Sequence, residues 1–186
     1  ARGPEALAAV RQATSDPAED VRNEAVSVLC SWPTIDALPE VSRLATLSTD
    51  KRAKILALRG CFRLIPLQTV PSSEKVTALQ GVLALVERPE EKRLALAAFA
   101  AIPTLTSLET ASRYLEDAAL RQEAGLAVLA IAEKIAGSYP TQVAAVLPKL
   151  EGIKIGKDTG KRIAALSERV AEEVNPSGFE SIFDGK

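Results

Sequence analysis

The stretch SDPAEDVRNEAVSVLCSWP (residues 15–33) decides the fold, because its pattern recurs along most of the chain. Asp16 is a good N-cap, Pro17 suits the first helical position because its missing N–H would have no partner there, and Glu19 completes a capping box. Apolar residues then recur at spacings of three and four: Val21, Ala25, Val26 and Leu29. We therefore predict an amphipathic helix that Pro33 ends. A single helix of this size is marginal in water, so neighbours must cover its apolar stripe.

The rest of the chain supplies these neighbours. Apolar residues at helical spacing predict further helices over residues 4–14, 34–48, 50–65, 72–86, 89–102, 104–115, 117–136, 139–150 and 158–174. Pro39 either lies in the first turn of its segment or breaks it. No alternating apolar and polar run of strand length competes with these assignments. We predict an all-α chain of four to five helical hairpins.

The second helices of these hairpins share a basic residue that is followed three positions later by a predicted core residue. The pairs are Arg22 and Ala25, Arg52 and Ile55, Lys92 and Ala95, Arg121 and Ala124, and Lys161 and Ala164. Their intervals of about 30 to 40 residues fit a two-helix solenoid. The expected architecture is a short right-handed α-α superhelix whose second helices line the inner face.

The segment SDPAEDVRNEAVSVL resembles the second half of a HEAT repeat, with its Asp-Pro turn, its Val-Arg pair and the Ala three residues after the Arg. DKRAKILALRGCFRLI, EEKRLALAAFAAIP and YLEDAALRQEAGLAVLAIAEKI are similar to the HEAT-like (ARM-type) modules of large secreted or envelope proteins of bacteria. The resemblance spans about residues 4–174, although the fifth unit lacks the Asp-Pro turn and carries Gly156 and Gly160. It implies that the repeated basic residues reach carbonyls or acidic groups in the turns. They would form a structural ladder of Arg22, Arg52, Lys92, Arg121 and Lys161.

Composition excludes several classes of function. Lys and Arg number 23 against 24 Asp and Glu, so the net charge of −1 gives no global field for nucleic acid or for an anionic membrane. The chain has no run of 18 apolar residues, and we expect no membrane insertion. Histidine is absent, which removes the Ser-His-Asp and Cys-His arrangements and the usual nitrogen ligands of zinc. We predict no catalytic residues, no metal and no cofactor here, and a monomer.

The two cysteines, Cys30 and Cys61, fall on equivalent helices of adjacent repeats. A disulfide between them is conceivable in an oxidising compartment. The alternative is that each packs as a small buried apolar side chain. Their spacing fits no metal motif.

One basic stripe is a candidate binding surface. Arg52, Arg59 and Arg63 have spacings of seven and four, which places them within about 40° of each other around a helix. Residues 43–63 hold six basic residues against one acidic residue. The stripe is either a solvated face whose arginine stems cover apolar surface, or a patch that binds an acidic protein segment or an anionic polymer.

The C-terminal segment NPSGFESIFDGK (residues 175–186) breaks the helical pattern. Residues 175–178 contain Pro and Gly and are predicted to be a linker, and three large apolar residues follow in residues 179–186. GFESIFDGK is similar to the opening of the 3-keto-disaccharide hydrolase family, a glycoside-hydrolase-related β-sandwich, although Ile182 replaces the usual Leu. The resemblance implies a truncated downstream domain and a carbohydrate-active bacterial protein of the periplasm, envelope or medium. The alternatives are a tail that folds back onto the last repeat, and a cytoplasmic location.

Two functional hypotheses follow. The first is a non-catalytic protein-interaction or spacer domain, accessory to a carbohydrate-active domain, whose partner is another protein or its own downstream domain. The second is part of a glycoside-hydrolase-like enzyme whose active site lies outside residues 1–186. Some related helical-repeat families also include lyases that act on a pigment, but no candidate residue in this chain supports that chemistry.

Overall fold

The structure is a computed structural model that describes residues 3–153, 155–156 and 158–174 of the chain. Ten α-helices account for its regular structure together with three 3₁₀ turns, and no described residue forms a strand. The helices are α1 (Pro4–Ala13), α2 (Glu19–Cys30), α3 (Leu38–Leu47), α4 (Lys51–Leu64), α5 (Ser72–Leu83), α6 (Pro89–Ala100), α7 (Leu105–Ser112), α8 (Arg121–Ile135), α9 (Pro140–Val146) and α10 (Thr159–Val174). The 3₁₀ turns are Ile35–Ala37, Ile65–Leu67 and Leu147–Leu150. The predicted all-α class is confirmed.

The chain divides into two compact units, Ala1–Ile102 and Pro103–Lys186. In the first unit α1 packs on α2, α3 on α4 and α5 on α6, and the second helices α2, α4 and α6 contact one another in succession. In the second unit α7 packs on α8 and α9 on α10, while α8 also contacts α9. Helices that follow one another in the chain therefore pack in pairs along the described residues.

Helix α2 begins later than its sequence predicts. It starts at Glu19, and the residue before it, Ala18, has no capping side chain. Asp16 instead accepts a hydrogen bond from the backbone N–H of Ala18 through Oδ1, at 2.9 Å, within the preceding turn. The predicted Asp16 cap is therefore wrong, because an Asp side chain can satisfy the N–H two residues on without starting a helix.

Two other helix starts agree with simple capping chemistry. Asp50 caps α4 by accepting hydrogen bonds from the backbone N–H groups of Arg52 at 2.7 Å and Ala53 at 3.2 Å. Pro39 lies in the first turn of α3, where its missing N–H would have no intrahelical partner. It therefore starts the helix and does not break it.

Small side chains let the second helices of the first unit approach closely. A Cβ atom added at Gly60 of α4 would lie 2.9 Å from the carbonyl oxygen of Cys30 at the end of α2. The apolar core around this contact includes the large buried side chains of Leu29, Leu64 and Phe99. Val21, predicted to belong to the buried stripe, is 43% exposed, so the stripe of α2 is narrower than its sequence indicates.

The burial pattern also corrects the predicted alignment of the second helices. Full burial recurs four residues apart at equivalent positions of three helices: Ala25 and Leu29 in α2, Ala57 and Cys61 in α4, and Ala95 and Phe99 in α6. The basic residue three positions before these pairs is Arg22, Lys54 or Lys92. Arg52 is therefore not the equivalent of Arg22, and its predicted core partner Ile55 is only half-buried. The sequence misleads because the first turns of α4 contain the basic-to-apolar spacing at both Arg52 and Lys54.

A candidate binding groove

An open groove of about 630 Å³ lies between α2, α4 and α6 of the first unit. Six of the lining residues form two sets that the corrected alignment places at the same position of α2, α4 and α6. We call each set of three a row. The rows are Ser27, Arg59 and Ala97, and Ser31, Arg63 and Ala101. The apolar side chains of Leu56, Phe62 and Leu94 also line the groove. The groove is therefore lined by residues at corresponding positions of α2, α4 and α6 in this alignment.

Arg59 joins α4 to α6 through a buried carboxylate. Its Nε and Nη2 atoms donate to Oε1 of Glu91 at 2.9 and 2.7 Å. The Glu91 side chain is 1% exposed, whereas the Arg59 side chain is 45% exposed. Arg88 approaches the other carboxylate oxygen of Glu91, with Nε at 3.6 Å. Glu91 is thus a buried charge held between two guanidinium groups, as a carboxylate away from water requires.

Arg63 joins α4 to the end of α2. Its Nη2 atom donates to the carbonyl oxygens of Cys30 at 3.0 Å and Trp32 at 2.6 Å. The last carbonyls of a helix have no intrahelical partner and carry the negative end of its dipole, so a cation is favoured there. Both groove arginines therefore support the packing of the second helices.

The structure brings together two members of the predicted basic stripe and leaves out the third. Arg59 and Arg63 line the groove, whereas Arg52 does not. Arg52 is exposed at the start of α4, and its hydrogen bond to Asp50 comes from its backbone N–H. The predicted patch is therefore a pair of arginines in a groove between helices.

The predicted ladder residues differ in what they contact. Arg22 donates through Nη1 to the carbonyl oxygens of Asp16 at 2.7 Å and Pro17 at 2.8 Å, in the turn before α2. Arg121 donates through Nε to the carbonyl oxygen of Leu115 at 2.9 Å, in the turn before α8. Each arginine thus reaches a carbonyl six residues earlier in the chain. In both cases the guanidinium fixes the turn that precedes its own helix.

The remaining ladder residues make no comparable contact with any residue that the structure describes. Lys161 lies 3.9 Å from the Asp158 carboxylate, and both side chains are exposed. Within the part of the chain that the structure describes, no side-chain contact to a turn carbonyl is recorded for Arg52 or Lys92. Sequence reasoning missed Arg59 and Arg63 as the residues that tie one second helix to the next. The corrected alignment contains a signal for this role, because the two arginines of α4 stand at positions where α2 has Ser and α6 has Ala.

The second unit contains a related ion pair on its surface. Arg162 of α10 pairs with Glu133 of α8, with Nε to Oε1 at 2.8 Å and Nη2 to Oε2 at 2.7 Å. This hydrogen bonding lowers the pKa of the Glu133 carboxyl below its ordinary value and raises the pKa of Arg162. Arg169 donates to the backbone carbonyl of Glu133 at 3.0 Å, near the end of α8.

The cysteines are buried free thiols, so the disulfide alternative does not describe this structure. Burial, together with the neighbouring Cys61, raises the pKa of Cys30 to about 11. Burial also raises the pKa of Cys61, whose Sγ lies 3.8 Å from the Ser42 hydroxyl. Thiols that stay protonated at neutral pH are poor nucleophiles and poor metal ligands. No group of three or more His, Cys, Asp or Glu among the described residues is arranged to hold a metal ion.

Comparison of the chain with protein-family models, curated proteins and solved structures found no match. Among the described helices, none combines the length and the apolar character that crossing a membrane requires. The groove itself offers an apolar surface beside two guanidinium groups.

Proposed function

We propose that this chain is a non-catalytic protein-interaction or spacer domain whose groove between α2, α4 and α6 receives a protein segment. The observation that carries the proposal is the groove itself, because α2, α4 and α6 together line one open surface that combines apolar side chains with two arginines. Stacked helical repeats use surfaces of this kind to hold partners. The proposal includes a HEAT-like (ARM-type) module in which four to five hairpins form a right-handed superhelix.

The proposed setting comes from the sequence resemblances. The HEAT-like modules that the chain resembles belong to large secreted or envelope proteins of bacteria, which supports a periplasmic, envelope or secreted location. The similarity of GFESIFDGK to the start of a glycoside-hydrolase-related domain supports an accessory role beside a carbohydrate-active domain. The predicted linker (residues 175–178) and the predicted start of that domain (residues 179–186) lie outside the described residues.

The main test compares a blocked groove with a matched change elsewhere. Ala97 is exposed in the groove on α6, and Ala8 is exposed on α1 outside the groove. We expect Ala97→Trp to abolish binding of the domain encoded after Lys186, measured by titration calorimetry with that domain produced separately. Ala8→Trp should leave the affinity unchanged. Equal affinity of both variants would overturn the groove as the docking surface for that domain, and no binding even by the unaltered chain would exclude that domain as the partner.

The second candidate function is part of a glycoside-hydrolase-like enzyme whose active site lies outside residues 1–186. The tail similarity is the observation that favours it. The gene product that continues past Lys186 should then contain a domain rich in β-structure by circular dichroism and should hydrolyse glycosides. A stop codon at that point, or further helical repeats, would refute both this candidate and the accessory role.

A further inference from the structure

We infer that the groove selects an acidic amphipathic helix that carries two carboxylates four residues apart beside an apolar stripe. This inference rests on the proposed interaction function and names the chemistry of its partner. Three features of the groove carry it: unused hydrogen-bond donors, an uncompensated positive charge, and the spacing of the lining residues.

The groove arginines keep donors for a ligand. A guanidinium has five N–H donors. Arg59 uses one on Nε and one on Nη2 for Glu91, and Arg63 uses Nη2 for two carbonyls. About three donors on each side chain therefore have no recorded partner among the described residues. An incoming carboxylate can accept them in charge-assisted hydrogen bonds, which are stronger than neutral ones.

The charge at the groove is one-sided. Among the described residues, its lining contains Arg59 and Arg63 and no acidic residue. Glu91 offsets the charge of Arg59 from beneath, but Arg63 is held by carbonyl oxygens and faces no carboxylate within the described part of the chain. A partner that brings carboxylates supplies the missing counter-charge, whereas a basic or neutral partner does not.

The spacing of the lining residues favours a helix. Arg59 and Arg63 are four residues apart on α4, which places them one turn apart on the same face, and two carboxylates with the same spacing on a partner helix match them. On α6, Leu94 is 42% exposed and is followed by the exposed small residues Ala97 and Ala101, which also line the groove. The spacings of three and four between these residues of α6 suit contact with the apolar stripe of a helix that lies in the groove.

The probes are three capped helical peptides and one polymer. The first peptide carries two Glu four residues apart and Leu residues on the same face, the second has Gln in place of both Glu, and the third has Ala in place of the Leu residues. Polyglutamate represents an anionic polymer. We expect the first peptide to bind in low salt, and each of the other probes to bind at least tenfold more weakly by fluorescence anisotropy.

A charge placed in the groove gives the matched control. Ala97→Glu adds a carboxylate in the same row as Arg59, and Ala8→Glu adds the same charge outside the groove. We expect the first variant to lose at least tenfold in affinity for the Glu peptide and the second to retain it, with unchanged circular dichroism spectra.

Other outcomes overturn the inference. Equal binding of the Gln peptide would remove the acidic preference, and tight binding of polyglutamate would make the partner an anionic polymer. No binding of any peptide would also overturn it. A different experiment tests the proposed interaction function: it would be overturned if the Ala97→Trp and Ala8→Trp variants bound the downstream domain equally.

Discussion

The two units each join successive second helices through an arginine–glutamate pair, but they place the pair in different surroundings. In the first unit the Glu91 side chain is 1% exposed beneath Arg59. In the second unit the Glu133 side chain is 34% exposed beside Arg162. A buried carboxylate that loses its partner keeps its desolvation cost, whereas a partly exposed carboxylate regains water. The same pair is therefore a structural requirement in one unit and a modest surface link in the other.

A second parallel concerns the ends of the helices. Arg63 of α4 donates to the carbonyl oxygen of Cys30 at the end of α2, and Arg169 of α10 donates to the carbonyl oxygen of Glu133 near the end of α8. In each unit a later second helix thus satisfies a carbonyl near the end of an earlier one. The two units share this device although their ion pairs differ in burial.

The largest difference between the units should follow from removing the two pairing arginines. We expect Arg59→Gln to lower the free energy of unfolding by about 3 kcal/mol, because Glu91 then keeps only the more distant Arg88. Arg162→Gln should cost less than about 1 kcal/mol. Urea unfolding followed by circular dichroism measures both.

The control for this prediction removes the buried charge as well. Arg59→Leu combined with Glu91→Leu should recover most of the lost stability, because the buried carboxylate is then removed together with its partner. Equal losses from Arg59→Gln and Arg162→Gln would contradict the comparison.

Two buried glycines give the next largest contrast. At Gly60 an added Cβ would lie 2.8 Å from Cγ1 of Val41 and 2.9 Å from the backbone oxygen of Cys30, so helices must move apart. At Gly125 of α8 it would lie 2.7 Å from Cδ1 of Ile155, the end of a side chain that can rotate. We expect Gly60→Ala to cost about 1–3 kcal/mol in urea unfolding, and Gly125→Ala to cost clearly less.

Gly81 of α5 is the matched control for these glycines. Apart from the nearby backbone of α5 itself, no described atom lies within 4 Å of an added Cβ there, so only helix propensity changes. Gly81→Ala should stabilise the protein by up to about 1 kcal/mol. A stabilising effect of Gly60→Ala would show that the close contact between α2 and α4 is wrong.

The sequence predicts the helices better than the contacts between them. The apolar periodicity indicates each helix, because residues at spacings of three and four recur within about a dozen residues. The alignment of α4 with α2 and α6 cannot be predicted in this way, because the basic-to-apolar spacing fits both Arg52 and Lys54. Only the burial of residues on α4 distinguishes the two alignments. The role of Arg59 is still less accessible, because its partner Glu91 lies 32 residues away on another helix.

The smallest expected effect is the pH dependence that the surface pair adds to the second unit. Hydrogen bonding from Arg162 lowers the pKa of Glu133 below its ordinary value of 4.5. A carboxyl whose pKa is lowered by folding contributes stability that is fully present above its unfolded pKa and is lost as the pH falls through its folded pKa. Because Glu133 is about one-third exposed, we expect this contribution to be no more than about 0.5 kcal/mol. The difference in unfolding free energy between the unaltered chain and Arg162→Gln should therefore shrink as the pH falls below about 4.5, in urea titrations at a series of pH values. A difference that grows on acidification, or that disappears only at alkaline pH, would contradict the assignment of the effect to Glu133.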